Sequence, residues 1–109
     1  MIERLRAFVE KAEALLLTEE PWGAENPYAA DLNGGWRAGL TDMSKWLDTG
    51  DPDVRRYFAT MAEWFRQTAP HGYEAYGELT IYAHAADAIG LGNIWDLEIV
   101  DEGGIDRLH

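Results

Sequence analysis

His84 and Asp87 stand three residues apart in a stretch with helical spacing, and Glu74 and Glu78 precede them by one to three turns. On one helical face such groups could share a divalent ion, which needs three or four converging nitrogen and oxygen ligands. His71 and Glu74 repeat the three-residue spacing at the start of the same stretch. The Glu-x-x-His order used by di-iron helical bundles is absent, so a solvated acidic face with one partly buried histidine is the favoured reading. Glu3, Glu10 and Glu13 form the wet side of an amphipathic N-terminal helix. Paired acids on helices can serve magnesium-dependent nucleotide hydrolysis only with facing acids and a phosphate clamp, and neither a P-loop nor a Gly-x-Gly-x-x-Gly stretch is present. "GLGN" at 90 to 93 reads as a helix end, and Ser44, the sole serine, lacks a nucleophile-elbow context. With no cysteine there is no thiol nucleophile, thiolate metal site or disulfide. The expectation is a protein that is not an enzyme and carries no cofactor and no metal.

Charge points elsewhere. Twenty Asp and Glu against nine Lys and Arg give a formal net charge of −11, a field that disfavours direct binding to a phosphate backbone. Between Arg66 and Arg107 there is no basic side chain but histidine, while Glu74, Glu78, Asp87, Asp96, Glu98, Asp101, Glu102 and Asp106 all fall there. A basic partner would be drawn to this C-terminal half. Arg55, Arg56 and Arg66 are the only basic concentration in the middle of the chain, and Asp51, Asp53 and Glu63 nearby favour ion pairing over phosphate binding.

The 109 residues fit a single domain, 1–109, large enough to bury a core of its own. Ile2, Leu5, Phe8, Val9, Ala12, Leu15 and Leu16 recur at helical spacing and predict a first helix from about Ile2 to Leu17. "TEEPWGAENP" breaks it with two prolines and a glycine. Asn26 as cap and Pro27 as first residue start a second helix. Its apolar face runs through Tyr28, Ala29, Leu32, Trp36, Gly39, Leu40, Met43, Trp46 and Leu47. Gly50 ends it, and Asp51 as cap with Pro52 as first residue opens a third helix, packed through Val54, Tyr57, Phe58, Met61, Ala62 and Phe65 up to Pro70. A fourth, about Tyr73 to Ile89, uses Tyr76, Leu79, Tyr82, Ala83, Ala86 and Ile89, and Gly90 closes it. "NIWDLEIV" alternates Trp95, Leu97 and Ile99 like a strand, but a short helix capped by Asn93 is favoured because no second strand is visible to pair with it. The expected fold class is all-α, a compact bundle of four main helices with a short fifth C-terminal element. No apolar run approaches the roughly 20 residues that span a bilayer, so no membrane is expected and the location expected is the cytoplasm.

Glycine pairs are costly inside a helix, and "LNGGWRAGL" keeps two adjacent and a third four residues on. Gly35 and Gly39 share one edge of the apolar face and predict a close backbone approach. Gly34 points to the other side, which predicts either a bend or break near Asn33-Gly34 or an approach to the backbone from outside, the first being favoured.

Asn26-Pro27-Tyr28, Trp36 and Gly39 together resemble the NPY…W..G pattern of ribosome-modulation-factor-like small proteins of bacteria and phages. The resemblance covers about fourteen residues. It implies a helical hairpin and a small bacterial or phage gene product. Those factors are short and basic, so ribosomal RNA binding does not carry over to this longer, acidic chain.

By type, rather than by motif, the chain resembles phage anti-CRISPR and anti-restriction proteins and immunity proteins against nucleases, which are small, acidic and without a catalytic constellation. The function expected is that of an acidic inhibitor of a basic nucleic-acid-handling protein or complex, docked by charge and anchored by aromatics. The partner-binding residues would be Glu74, Glu78, Asp87, Trp95, Glu98, Asp101 and Glu102, their carboxylates standing where phosphates would. Trp22, Trp46, Trp64 and Tyr73 lie at the margins of the apolar stripes and can either close the ends of the bundle or add to that surface. A homodimer, a small-ligand or metal-binding bundle built on His84, Asp87 and the tyrosines of the fourth helix, and a ribosome-associated regulator stay open as alternatives.

Overall fold

Tyr82 is wholly buried, with the rings of Tyr57, Phe58 and Phe65 all within 6 Å of its own, centroid to centroid, at 5.9, 5.7 and 5.5 Å. Around this aromatic centre a computed structural model, which describes residues 1–68 and 71–99, arranges four helices: α1 (Ile2–Leu16), α2 (Ala29–Asp48), α3 (Val54–Thr68) and α4 (Tyr73–Ala88). A 3₁₀ turn, Ile94–Asp96, follows. The fold is an all-α bundle, as the periodicity predicts. None of these helices is long and apolar enough to cross a membrane.

α4 is the central helix. Gly77, Leu79, Ile81, Tyr82, Ala85 and Ala86 are buried on more than one side of it, because α1, α2 and α3 all pack against it. Its apolar face is therefore broader than a single stripe, and Ile81 and Ala85 join the core although the one-stripe pattern omits them. Tyr76, expected inside, is exposed at its edge, as are Tyr28 and Leu15.

The tightest packing joins α2 to α4. A Cβ on Gly35 would run into the Glu74 carbonyl and come within 2.6 Å of the Glu78 amide nitrogen. A Cβ on Gly77 would strike the Leu32 carbonyl, and one on Gly39 would stand 2.5 Å from Ile81 Cγ2. Partner numbers rise together along this contact, from Leu32 with Gly77 to Gly39 with Ile81, so the two helices run parallel. α3 carries the chain back between them. Gly35 and Gly39 thus serve the close approach that their spacing predicts, with Gly77 as a third participant. α2 does not break at Gly34; the helix is continuous from Ala29 to Asp48.

Two helix starts differ from expectation. Asn26 Oδ1 accepts from the Tyr28 amide at 2.8 Å, a turn that delays the start of α2 to Ala29. Asp51 likewise bonds the Asp53 amide at 2.9 Å, and it is Asp53 whose carboxylate accepts from Arg56 N at 3.1 Å and caps α3. In both places the first polar residue closes a turn just ahead of the helix. Gly50 and Gly90 take the left-handed conformation, at φ of 79° and 92°, that ends α2 and α4.

The buried Asn33 anchors the long connection between α1 and α2. Its Oδ1 accepts from Trp22 N at 3.1 Å and its Nδ2 donates to Trp22 O at 3.0 Å, which sets the Trp22 ring edge-on against Trp36. After α4, Asn93 Oδ1 caps the 3₁₀ turn through Trp95 N at 2.9 Å. Ile94 and Leu97 are buried, whereas Trp95 and Ile99 are exposed. The segment is thus a single helical turn, shorter than the predicted helix, and it anchors through residues three apart.

Candidate functional site

Gly35, Gly39, Asp42 and Trp46 follow one another at steps of four, three and four residues and share a stripe of α2. Because the glycines bring α4 onto that stripe, Glu74 and Glu78 come to lie along the same seam as Asp42. The half-buried Glu78 carboxyl hydrogen-bonds Asp42 and is pushed up to about 7, first by burial, then by that bond and by the negative charges of Asp42 and Glu74. Glu74 is exposed and reaches over Gly34, its Oε2 lying 3.8 Å from where a Cβ on that glycine would stand.

Beneath the carboxyls the Tyr57 and Tyr82 hydroxyls share a hydrogen bond of 2.5 Å. Burial pushes the Tyr57 phenol up to about 12 and Tyr82 higher still. Both therefore remain neutral, and they act as a hydrogen-bonded floor rather than as acids. Trp46 lies flat on Tyr57, with centroids 4.5 Å apart and planes within 8°. Two ion pairs occur among the described residues, Arg37 with Glu20 and Arg66 with Glu63, and neither involves the seam. Three carboxyl groups without a cationic partner among the described residues can accept hydrogen bonds and positive charge.

The structure divides the expected partner-binding set. Glu74 and Glu78 meet on the seam. Asp87 is exposed near the other end of α4, roughly 20 Å away along the helix at its usual rise. Trp95 and Glu98 border a separate depression of about 510 Å³ together with Glu63, Arg66 and Ile99. Asp101 and Glu102 lie outside the described residues.

In that second place a cation stands at the centre. Arg66 donates to the carbonyls of Trp95 at 3.0 Å and Leu97 at 2.8 Å, and its guanidinium lies 6.0 Å from the Trp95 ring centroid. Its charge offsets Glu98 and Glu63, so this region is a structural clasp more than an acidic surface. Arg66→Ala should cost about 2 kcal/mol, since hydrogen bonds from a charged donor are lost, with a red shift of tryptophan fluorescence as the segment leaves α3. Arg66→Lys should recover less than half of this, because an ammonium lacks the planar fork. Urea unfolding of both variants gives the comparison.

Exposed aromatic rings sit beside the seam at the first turns of α4. Tyr28 and Tyr73 stack at 3.8 Å with planes within 9°, and both are exposed, as is Tyr76. Trp64 is also exposed, whereas Trp22 and Trp46 are half-buried. His84 packs edge-on against Trp36 at 5.6 Å. Among the described residues no three or more His, Asp or Glu are grouped to hold a metal ion, so neither His84 with Asp87 nor His71 with Glu74 is joined there by a third ligand.

Asp42 and Tyr28 belong to the site although sequence reasoning did not select them. The three-to-four spacing from Gly35 through Asp42 is the signal that could have found Asp42. For Tyr28 there was none, since its apolar period predicts burial.

Fold and site define a small helical bundle with a tightly packed parallel helix pair and an acidic seam rimmed by tyrosines. No family model, curated protein or solved structure matches the chain. Three residues of the Asn-Pro-Tyr…Trp..Gly pattern have a structural task here. Asn26 closes a turn, Trp36 Nε1 donates to Thr80 Oγ1 at 2.6 Å, and Gly39 admits Ile81.

Proposed function

We propose that the protein is an acidic docking module that inhibits a basic, nucleic-acid-handling protein or complex, a role of the anti-CRISPR, anti-restriction or nuclease-immunity type. The observation that carries this reading is the seam itself: Asp42, Glu74 and Glu78 side by side, outside the ion pairs among the described residues, next to the exposed Tyr28, Tyr73 and Tyr76. Holding like charges together raises the energy of the free protein, and a partner's lysine or arginine relieves it. The tyrosines supply apolar area at low entropic cost beside the charges. The partner's cationic groove is then covered by carboxylates in place of phosphates. α4 contributes no lysine or arginine to repel it.

The test is affinity capture from lysate of the native host, eluted by a salt gradient and identified by mass spectrometry. One nuclease or nucleic-acid-binding complex should be released between low and moderate salt, because exposed charges are screened over about 8 Å at physiological ionic strength. The triple variant Asp42→Asn, Glu74→Gln, Glu78→Gln should lose it. Retention of the same partner in high salt, or by the triple variant, would show that the seam is not the docking surface.

A further inference from the structure

On the α1 side of the α2–α4 pair, away from the seam on its α3 side, lies an open groove of about 430 Å³. Phe8, Ala12 and Leu15 form one wall, Trp36 the other, and the buried Ile81 lies at the bottom. Leu15 is exposed and Phe8 and Trp36 are only half-covered, so the groove presents apolar surface to water without closing over it. The Trp36 indole N–H is already committed to Thr80, which leaves the ring as a purely apolar wall.

Among the described residues, the polar groups of the lining are Lys11 and His84, and no carboxylate lines it. In a chain of net charge −11 that is a local reversal of sign. Arg4, two turns before Lys11 on the same helix, lies against Gly90 just beyond the groove, its Nη1 3.3 Å from where a Cβ on that glycine would stand. The volume falls in the range of small-molecule sites, which are mostly apolar with a few polar groups that fix orientation.

We infer that this groove binds a free amphiphilic monocarboxylate, an alkyl or aryl acid whose apolar body lies between Phe8, Leu15 and Trp36 and whose carboxylate meets Lys11 and His84. Charge complementarity selects this occupant over a neutral or cationic amphiphile. Lys11 is the charge that faces the groove, and the His84 imidazole adds a hydrogen-bonding group, whereas the neighbouring acids Glu10 and Asp87 are not in its lining. The site is independent of the acidic seam and stands whether or not that surface docks a partner.

Decanoate, below its micellar concentration, is the probe, followed by tryptophan fluorescence and titration calorimetry, with decanol and decyltrimethylammonium as comparisons. Decanoate should bind saturably at one per chain, and more tightly than either comparison. Lys11→Met should weaken decanoate about tenfold, as expected for one lost charge contact, while changing decanol less than about twofold. Leu15→Glu, at an exposed position that leaves the core untouched, should abolish decanoate binding. Non-saturable uptake, equal affinity for decanoate and decyltrimethylammonium, or an unchanged Lys11→Met would overturn the assignment. A dimer in light scattering that Leu15→Glu dissociates, with no decanoate bound, would give the groove to a second copy of the chain instead.

Discussion

Gly35→Ala should destabilise the protein by about 3 kcal/mol or more, at the upper end of what overpacking costs, and so lower Tm by more than about 10 °C for a domain of this length. The methyl group would land on the Glu74 carbonyl and the Glu78 amide. Backbone cannot move aside as a flexible side chain does, so the whole of α4 must shift. Gly77→Ala, aimed at the Leu32 carbonyl, should behave alike. Gly34→Ala is the opposite case. Beyond its own stretch of helix, the neighbour within 4 Å of its new methyl among the described residues is Glu74 Oε2 at 3.8 Å, an ordinary contact. Removing glycine from a helix interior is worth up to roughly 1 kcal/mol, and Tm should rise by a few degrees. Thermal unfolding of the three variants decides the matter, and similar losses at 34 and 35 would contradict the close parallel packing of α2 and α4.

Stability should fall as the pH rises through neutrality, and Glu78→Gln should remove that fall. Glu78 titrates at about 7 in the folded protein against an ordinary value of 4.5, so between those values the folded state holds a proton that the unfolded chain has lost. Linkage then makes the stabilising contribution complete below about pH 4.5 and lost as pH climbs through about 7. The full shift would correspond to about 3 kcal/mol. The side chain is only half-buried, so solvent screening reduces this to about 1 kcal/mol. Glutamine keeps the hydrogen bond to Asp42 without a charge. Glu78→Gln should match the parent at pH 5 and exceed it by about 1 kcal/mol at pH 8. Urea melts at the two pH values measure this, and an equal offset at both would remove Glu78 from the account.

The two variants at Gly34 and Gly35 also mark how far the sequence could be read. Helical spacing alone places Gly35 and Gly39 on an apolar edge, because a helix repeats every 3.6 residues whatever surrounds it. Local cap preferences predict the Asn93 cap and the ends of α2 and α4 at Gly50 and Gly90, all of which depend on neighbours in the chain. The cap of α3 shows where local rules fail: Asp51 and Asp53 are both competent, and only the path of the backbone selects Asp53. Tyr28, Tyr76 and Leu15 fail for a related reason. Period identifies a face, but how much of that face is covered depends on where the neighbouring helices end.

The candidate site was legible in its parts and not in its assembly. Composition alone determined the acidic character of α4 and the absence of any nucleophilic thiol, since a count of side chains needs no fold. It was the tertiary structure that set Asp42 against Glu78, from positions thirty-six residues apart, because the glycine contact slides α2 and α4 together in parallel register. The same packing buries half of Glu78 and raises its proton affinity, and places Arg66 in the middle of the Trp95 region. Such effects depend on distance and burial between segments remote in the chain. A sequence fixes which groups can carry charge; only the folded packing fixes which of them must share it.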